Sequence, residues 1–412
     1  MTEVNTEGVI PKVLGYLPMT DLMQDPYGTL ANLREASPAV AVNSAGFRVW
    51  VITRHEEARR ALADPTVIRN FAKYGREVVE RCLVGKDRIA YLPGRTRRSF
   101  RERDGEDHHR MRALIGHVFS PANVAKLAKR VEKISHELLE PILPERPVEL
   151  MNEYIRPLCG RTICELAGFP IDELSALATF ENDMQTSPVN EVIMHALEML
   201  ELWAKKVVEI KRQEPGDDLS TELLRMREES ILTEDELTSM YILIMVNGMQ
   251  SAAAIGNGIF ALLTHSDQLA SALAEPALFT TGVDEIVRYE SPVRIVGTRY
   301  TTAPVRLGEV TVPAGELLFI ALASGNRDPK YFADPDVFDI ARAATGHLGF
   351  GNGIHRCLGA RLGKMTTGAA LEMFFTKFPA TELIDPPEAA RWRPGKFLRR
   401  LDALPVIPKV WD

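Results

Sequence analysis

The chain is short of charge in one stretch, of cysteine almost everywhere, and of linker sequence throughout. From Leu237 to Thr264 no residue carries a formal charge, although 25% of the 412 residues do. The four cysteines, Cys82, Cys159, Cys164 and Cys357, include no CxxC pair. That excludes a disulfide framework and a zinc ribbon, and it suits a reducing cytoplasm. No Gly/Ser-rich segment divides the chain and no repeat period shows, against tandem domains and solenoids. A formal charge of −7 argues against nucleic acid as the main partner. The N-terminal MTEVNTEGVIPKVLGYL lacks the pattern of a signal peptide or anchor, so a cytoplasmic location is expected.

What is present begins with the uncharged stretch itself. It is long enough to cross a bilayer, yet Asn247, Gln250, Ser251 and Asn257 interrupt it and no positive bias flanks it. Upstream, Thr233 and Glu236 form a T-x-x-E capping box, the start signal of a soluble helix. The spacing therefore predicts one continuous helix over Thr233–Thr264, about 45 Å long and buried by other helices. Helical periodicity also marks Glu56–Ala63, His108–Phe119, Pro121–Leu139, Met151–Ala167, Asn190–Arg212, Gly282–Glu290 and Leu358–Lys377. Strand signals are short: Ala39–Val42, Arg48–Ile52, Val305–Val312 and Leu317–Ala323. Together they predict one mainly α domain over residues 1–412, with small peripheral β-sheets. Two long segments lack a clear period, Ile68–Asp107 and Asp328–Gly351, and long irregular connections tend to carry function.

The second of these runs into HLGFGNGIHRCLGARLGK, His347 to Lys364. Here Cys357 lies among glycines directly before a helical pattern. Glycines let backbone amides approach a ligand, and a helix N-terminus favours a thiolate. Phe350 is placed to shield it from water. Such a cysteine is a nucleophile, a metal ligand or a buried structural thiol, and the residues alone leave these open.

The run FGNGIHRCLG, Phe350 to Gly359, resembles the F-x-x-G-x-x-x-C-x-G haem loop of the cytochrome P-450 superfamily at every fixed position. The family's other landmarks follow in order along nearly the whole chain. The resemblance implies the P-450 fold, haem b as cofactor and Cys357 as the axial thiolate on iron. It casts Glu285 and Arg288, in the E-x-x-R of DEIVRYESPV, and Arg342 as a structural ion-pair set behind the haem loop. It also implies that His108 and Arg112 (H-x-x-x-R), Arg299 and His355 contact the haem propionates, with Phe350 and Gly359 beside the haem. The family usually carries Pro-Pro before the H-x-x-x-R helix, whereas this chain reads Gly105-Glu106.

A larger departure lies in the uncharged stretch. The family's central helix carries [AG]-G-x-[DE]-T, whose acid and alcohol relay protons during oxygen activation. One register, through Ile255-Gly256-Asn257-Gly258, puts Met249 at the acid, Gln250 at the threonine, and Val246 and Asn247 at the small pair. Sliding by one puts Gln250 at the acid and Ser251 at the alcohol. Neither register supplies a carboxylate, and an amide orients water or substrate without relaying a proton. The resemblance thus implies an oxidoreductase that tailors a small organic molecule, such as a secondary metabolite, by hydroxylation or by oxidative radical coupling. A peroxide-dependent peroxygenase and a non-turnover haem-binding or sensor protein remain alternatives.

Family topology assigns the substrate pocket to the loop after Ile68, the Phe180–Asn190 connection, Val246, Asn247, Val293, Ile295, Val296, Phe397 and Leu398. That lining suits a flat, modestly polar molecule. The chain has no room for a reductase module, so ferredoxin and ferredoxin reductase are the implied electron donors. Arg356, Arg361 and Lys364 read as a dock for an acidic ferredoxin, with ordinary surface charge as the alternative. The basic run Arg95–Arg103 reads as a solvated loop, with anion attraction as the alternative.

Overall fold

Ser120 opens the longest clean match between sequence and structure. Its hydroxyl accepts from the Asn123 N–H, Pro121 sits at the first turn, and the helix Pro121–Leu139 follows. Val124, Leu127, Val131 and Ile134, at helical spacing, face the core. The structure is a computed structural model, which describes residues 22, 25–44, 46–83, 99–187, 190–395 and 397–411.

The main core is built by helices around the uncharged stretch, and residues from Met111 to Val406 contribute to it. Over Glu234–Thr264, 72% of the most apolar window is buried inside the protein. The helix is not continuous as predicted. It runs Glu234–Gly248 and resumes as Ser251–Thr264. At the break the bonding tightens to i→i−3, with Gln250 N–H to Asn247 O at 3.2 Å and Ala253 N–H to Gln250 O at 3.1 Å. The capping box at Thr233 and Glu236 is formed as expected. Gly248 and Gly256 admit neighbours: a Cβ at Gly248 would overlap Ile163, and one at Gly256 would lie 2.8 Å from Met151 Sδ. Asn257, fully buried, donates its amide to the main-chain oxygens of Glu290 (3.2 Å) and Arg399 (3.0 Å).

A five-stranded sheet runs in the order Ala39–Ser44, Phe47–Ile52, Leu317–Ile320, Val296–Thr301, Val67–Ile68. Its Phe47–Ile52 and Leu317–Ile320 pair is parallel and the rest antiparallel. The predicted strand Val305–Val312 is a hairpin, turning at Gly308 with φ +58°. Three-stranded pairing joins Val148–Glu149, Pro405–Ile407 and Glu382–Leu383.

Three further expectations need correction. The segment Ile68–Asp107 is not irregular throughout, since it holds the helix Phe71–Cys82, with residues 84–98 outside the described set. The Phe180–Asn190 connection is largely the end of a helix, Leu174–Thr186. The helix predicted over Met151–Ala167 begins as a π-turn, Met151–Ile155, before Arg156–Ala167.

Candidate functional site

The cysteine loop is held by its backbone. Cys357 N–H donates to Phe350 O at 2.8 Å, and Gly351 N–H to Leu348 O at 2.7 Å. Gly351 and Gly353 both sit at φ +71°, where a side chain is strained. A Cβ at Gly353 would also come within 2.6 Å of the Leu62 carbonyl oxygen. Helix Ala360–Lys377 begins directly beyond. Cys357 is the one exposed cysteine of the four, yet protein encloses it enough that burial raises its thiol pKa. The Gly359 N–H and the guanidinium groups of Arg112 and Arg356 oppose that rise.

Beside it lies a cluster of buried nitrogen-bearing side chains that protein acceptors do not fully satisfy. Helix Gly105–Gly116 presents His108, fully buried, and neither of its ring nitrogens has a partner. Its ring lies 4.5 Å from that of His355. Burial, with His355 and Arg112 nearby, pushes His108 down to about 4. Arg299, on strand Val296–Thr301, is 2% exposed and its Nε is unpartnered. Burial and the charge of Arg69 push it down to about 9. His355 Nε2 lies 3.1 Å from Asp104 Oδ1.

Sequence reasoning missed Arg69 and Asp104. Asp104 also accepts from the backbone N–H groups of Arg69 (2.8 Å) and Asn70 (2.7 Å). Its position just before the H-x-x-x-R helix was a readable signal. Gly105, where the family usually has proline, starts that helix at φ +62°.

These features define the ligand they fit. Among the described residues no group of three or more His, Cys, Asp or Glu side chains could hold a metal ion. A lone thiol beside an Arg299 with an unpartnered Nε and a His108 with two unpartnered ring nitrogens fits a group that carries its own metal together with anionic arms. Haem, with two propionates, has that chemistry.

Behind the loop, Arg288 meets Glu285 through Nε–Oε2 at 2.6 Å and Nη2–Oε1 at 2.8 Å, both side chains fully buried. Arg342 Nε reaches Glu285 Oε1 at 3.3 Å, and its Nη1 donates to Ala333 O at 2.6 Å. The remaining Arg288 N–H groups go to main-chain oxygens of Asn326 (2.9 Å), Pro335 (2.7 Å) and Val337 (3.2 Å).

A cavity of about 260 Å³ opens beside the break in the central helix. Met249, Gln250, Ala253, Val293 and Leu398 form one part of its lining. Val293 and Leu398 pair across an isolated antiparallel bridge.

Comparison with known proteins settles the family. The Cytochrome P450 family model matches residues 271–398. Cytochrome P450 107B1 of Saccharopolyspora erythraea is 34% identical over 98% of this chain and 99% of its own. The tirandamycin C-bound P450 monooxygenase TamI superposes with TM-score 0.86 at 32% identity, covering 94% of this chain and 98% of that one. CxnD, a P450 for C–S bond formation in chuangxinmycin biosynthesis, superposes with TM-score 0.86 at 26% identity, covering 97% and 98%.

The chain belongs to the cytochrome P450 family. It is an oxidoreductase of that fold, and the family implies haem with a cysteine thiolate ligand.

Within this P450 the sequence-stated positions divide. Met249 and Gln250 line the cavity, whereas Ser251 turns toward the helix after the cysteine, its Oγ 3.8 Å from where a Gly363 Cβ would stand. The amide of Asn247 donates back to Leu243 O at 2.8 Å. Val246 and Ile295 belong to hydrophobic cores, at 5% and 1% exposure, and lie off this cavity. Val296 pairs in the large sheet, and Phe397 packs edge-on against Phe319. Phe350 packs with Ala254, Val283 and Val287.

Arg356 and Arg361 are exposed, but Lys364 is held by Asp284, which also meets His347 Nε2 at 3.0 Å. Arg95–Arg98 fall outside the described residues, while Arg101 meets Glu102 (3.1 Å) and Arg103 lies 4.0 Å from Asp107. Glu181 and Asn182 fall in the Phe180–Asn190 stretch expected to line the pocket, whereas sequence reasoning missed Arg156, Arg393 and Arg400.

Proposed function

We propose that this P450 tailors a small organic molecule of secondary metabolism, by hydroxylation or oxidative coupling, with electrons from ferredoxin and its reductase. The observation that carries the reading is the Cys357 loop set against the unpartnered ring nitrogens of His108 and Nε of Arg299. Cys357 would ligate the haem iron, while His108, Arg112, Arg299 and His355 would take the propionates. Phe350 and Gly359 would flank the macrocycle. Bound haem supplies oxygen activation and one-electron oxidation. TamI is a monooxygenase and CxnD forms C–S bonds, so both outcomes are represented among similar chains.

The protein's own residues shape how protons arrive. Gln250 donates from Nε2 and accepts at Oε1, but neither atom changes protonation state near neutral pH. Met249 offers only a thioether. Gln250 therefore orients a water or a substrate group at the cavity wall, and protons come through water or from the substrate itself. Exposed Arg356 and Arg361 are the cations available to an acidic ferredoxin on the thiolate side.

Three measurements test this. The reduced protein with carbon monoxide should show the thiolate signature, and its absence overturns the haem-thiolate reading. Turnover under labelled dioxygen, with ferredoxin and reductase supplied, separates the reactions: insertion labels the product and coupling does not. Met249→Asp combined with Gln250→Thr should raise the fraction of reducing equivalents that reach product. An unchanged fraction would count against the proton argument.

A further inference from the structure

The part of the cavity away from Met249 is cationic. Arg156, Arg393 and Arg400 line it, against one lining carboxylate, Glu181. Glu181 is taken by Arg400, whose Nη1 lies 3.0 Å from both its oxygens. Arg400 Nη2 and Arg393 Nη1 then share one acceptor, Asn182 Oδ1. Arg393 Nε lies 3.1 Å from Asp402 Oδ1, a half-exposed carboxylate behind the lining.

Arg156 makes no ion pair among the described residues. It donates to Asn152 Oδ1 and to Asp402 main-chain O at 2.9 Å. The next carboxylate, Glu149, is committed to the N–H groups of Met151 (3.0 Å), Asn152 (3.0 Å) and Leu404 (2.7 Å). Burial, then the charge of Arg393, pushes Arg156 down to about 10, so the guanidinium groups feel one another.

The backbone singles out the same wall. The helix leading to Arg156 opens as a π-turn over Met151–Ile155, and both Met151 and Asn152 line the cavity. Such turns often sit at functional sites, because the widened helix redirects a side chain. Glu149 and Asp402 act on Arg156 only at a distance, so its planar guanidinium, bonded to amide and carbonyl oxygens, has no carboxylate of its own, and an incoming carboxylate meets it in bidentate geometry.

We propose that this wall binds a carboxylate on the substrate. The anionic end lies on Arg156 and Arg393, and the apolar body extends along Met249, Val293 and Leu398. This rests on the functional reading above, and it names the substrate class for the same site. A carboxylate anchored there fixes which end of the molecule faces the helix break at Gln250, and so sets regiochemistry.

The test uses haem-loaded protein and equilibrium dialysis of 4-phenylbutyrate, 6-phenylhexanoate and 2-naphthylacetate, each beside its methyl ester. At least one acid should bind about tenfold or more tightly than its ester, the size of one charge-assisted hydrogen bond. Arg156→Gln and Arg393→Gln should each reduce that preference about tenfold, and Arg156→Lys should retain part of it. Esters binding as well as acids across the panel would overturn the proposal, as would a preference unchanged in both Gln variants. The carbon monoxide spectrum of the same samples keeps the two failures apart. A thiolate signature without acid preference overturns only the carboxylate site, whereas no signature overturns the functional reading.

Discussion

Two buried polar clusters adjoin the cysteine loop and differ in one respect. Around Glu285 the account is closed: Arg288 and Arg342 reach carboxylate or main-chain oxygens with nearly every N–H group. Around His108 it is open, with both ring nitrogens and Arg299 Nε unpartnered. A closed network of this kind fixes architecture, since any lost member strands a buried charge. An open one is complementary to something the polypeptide does not itself supply. Spacing does not distinguish them, because E-x-x-R and H-x-x-x-R both place residues on one helix face.

The sharpest break of this comparison is Glu285→Gln, which leaves Arg288 buried without its carboxylate. It should cost about 3–5 kcal/mol and yield little folded protein, read by thermal melting and soluble expression. Substituting the open cluster should do the reverse. His108→Gln should melt within a few degrees of wild type in haem-free protein, yet lose haem faster in a transfer assay.

His108 also predicts a pH dependence. Its folded value, about 4, lies below the ordinary 6.5, so the unfolded chain takes up the proton first. Stability of the haem-free protein should fall as pH drops from about 6.5 through about 4, and His108→Gln should flatten that fall. The smallest effect is expected at Lys364→Met. Its pair with Asp284 is about one-third exposed on both sides, and its loss should cost less than about 1 kcal/mol by denaturant titration.

Legibility followed contiguity. The cysteine loop could be read because Phe350, Cys357 and Gly359 sit within ten residues and carry a specific pattern. The long helices could be read because apolar spacing repeats over several turns. The break at Met249–Gln250 could not, since every residue there tolerates a helix and only tertiary packing decides. Strands such as Val67–Ile68 and Glu382–Leu383 are two residues long, too short for any period to show. Arg156, Arg393 and Arg400 were illegible for a different reason. They come from two distant segments, and no local pattern says that a cavity joins them.

Asn257 has a consequence for how such a pocket can change over time. Its single amide ties the central helix to residues 290 and 399, and both partners are main-chain oxygens. A carbonyl accepts regardless of which side chain its residue bears. Mutations at Val293 or Leu398 can therefore exchange the surface offered to a substrate while the three segments stay moored at the same spacing. The pocket is a set of replaceable faces on a fixed frame, so a new specificity can arise one residue at a time without a new fold.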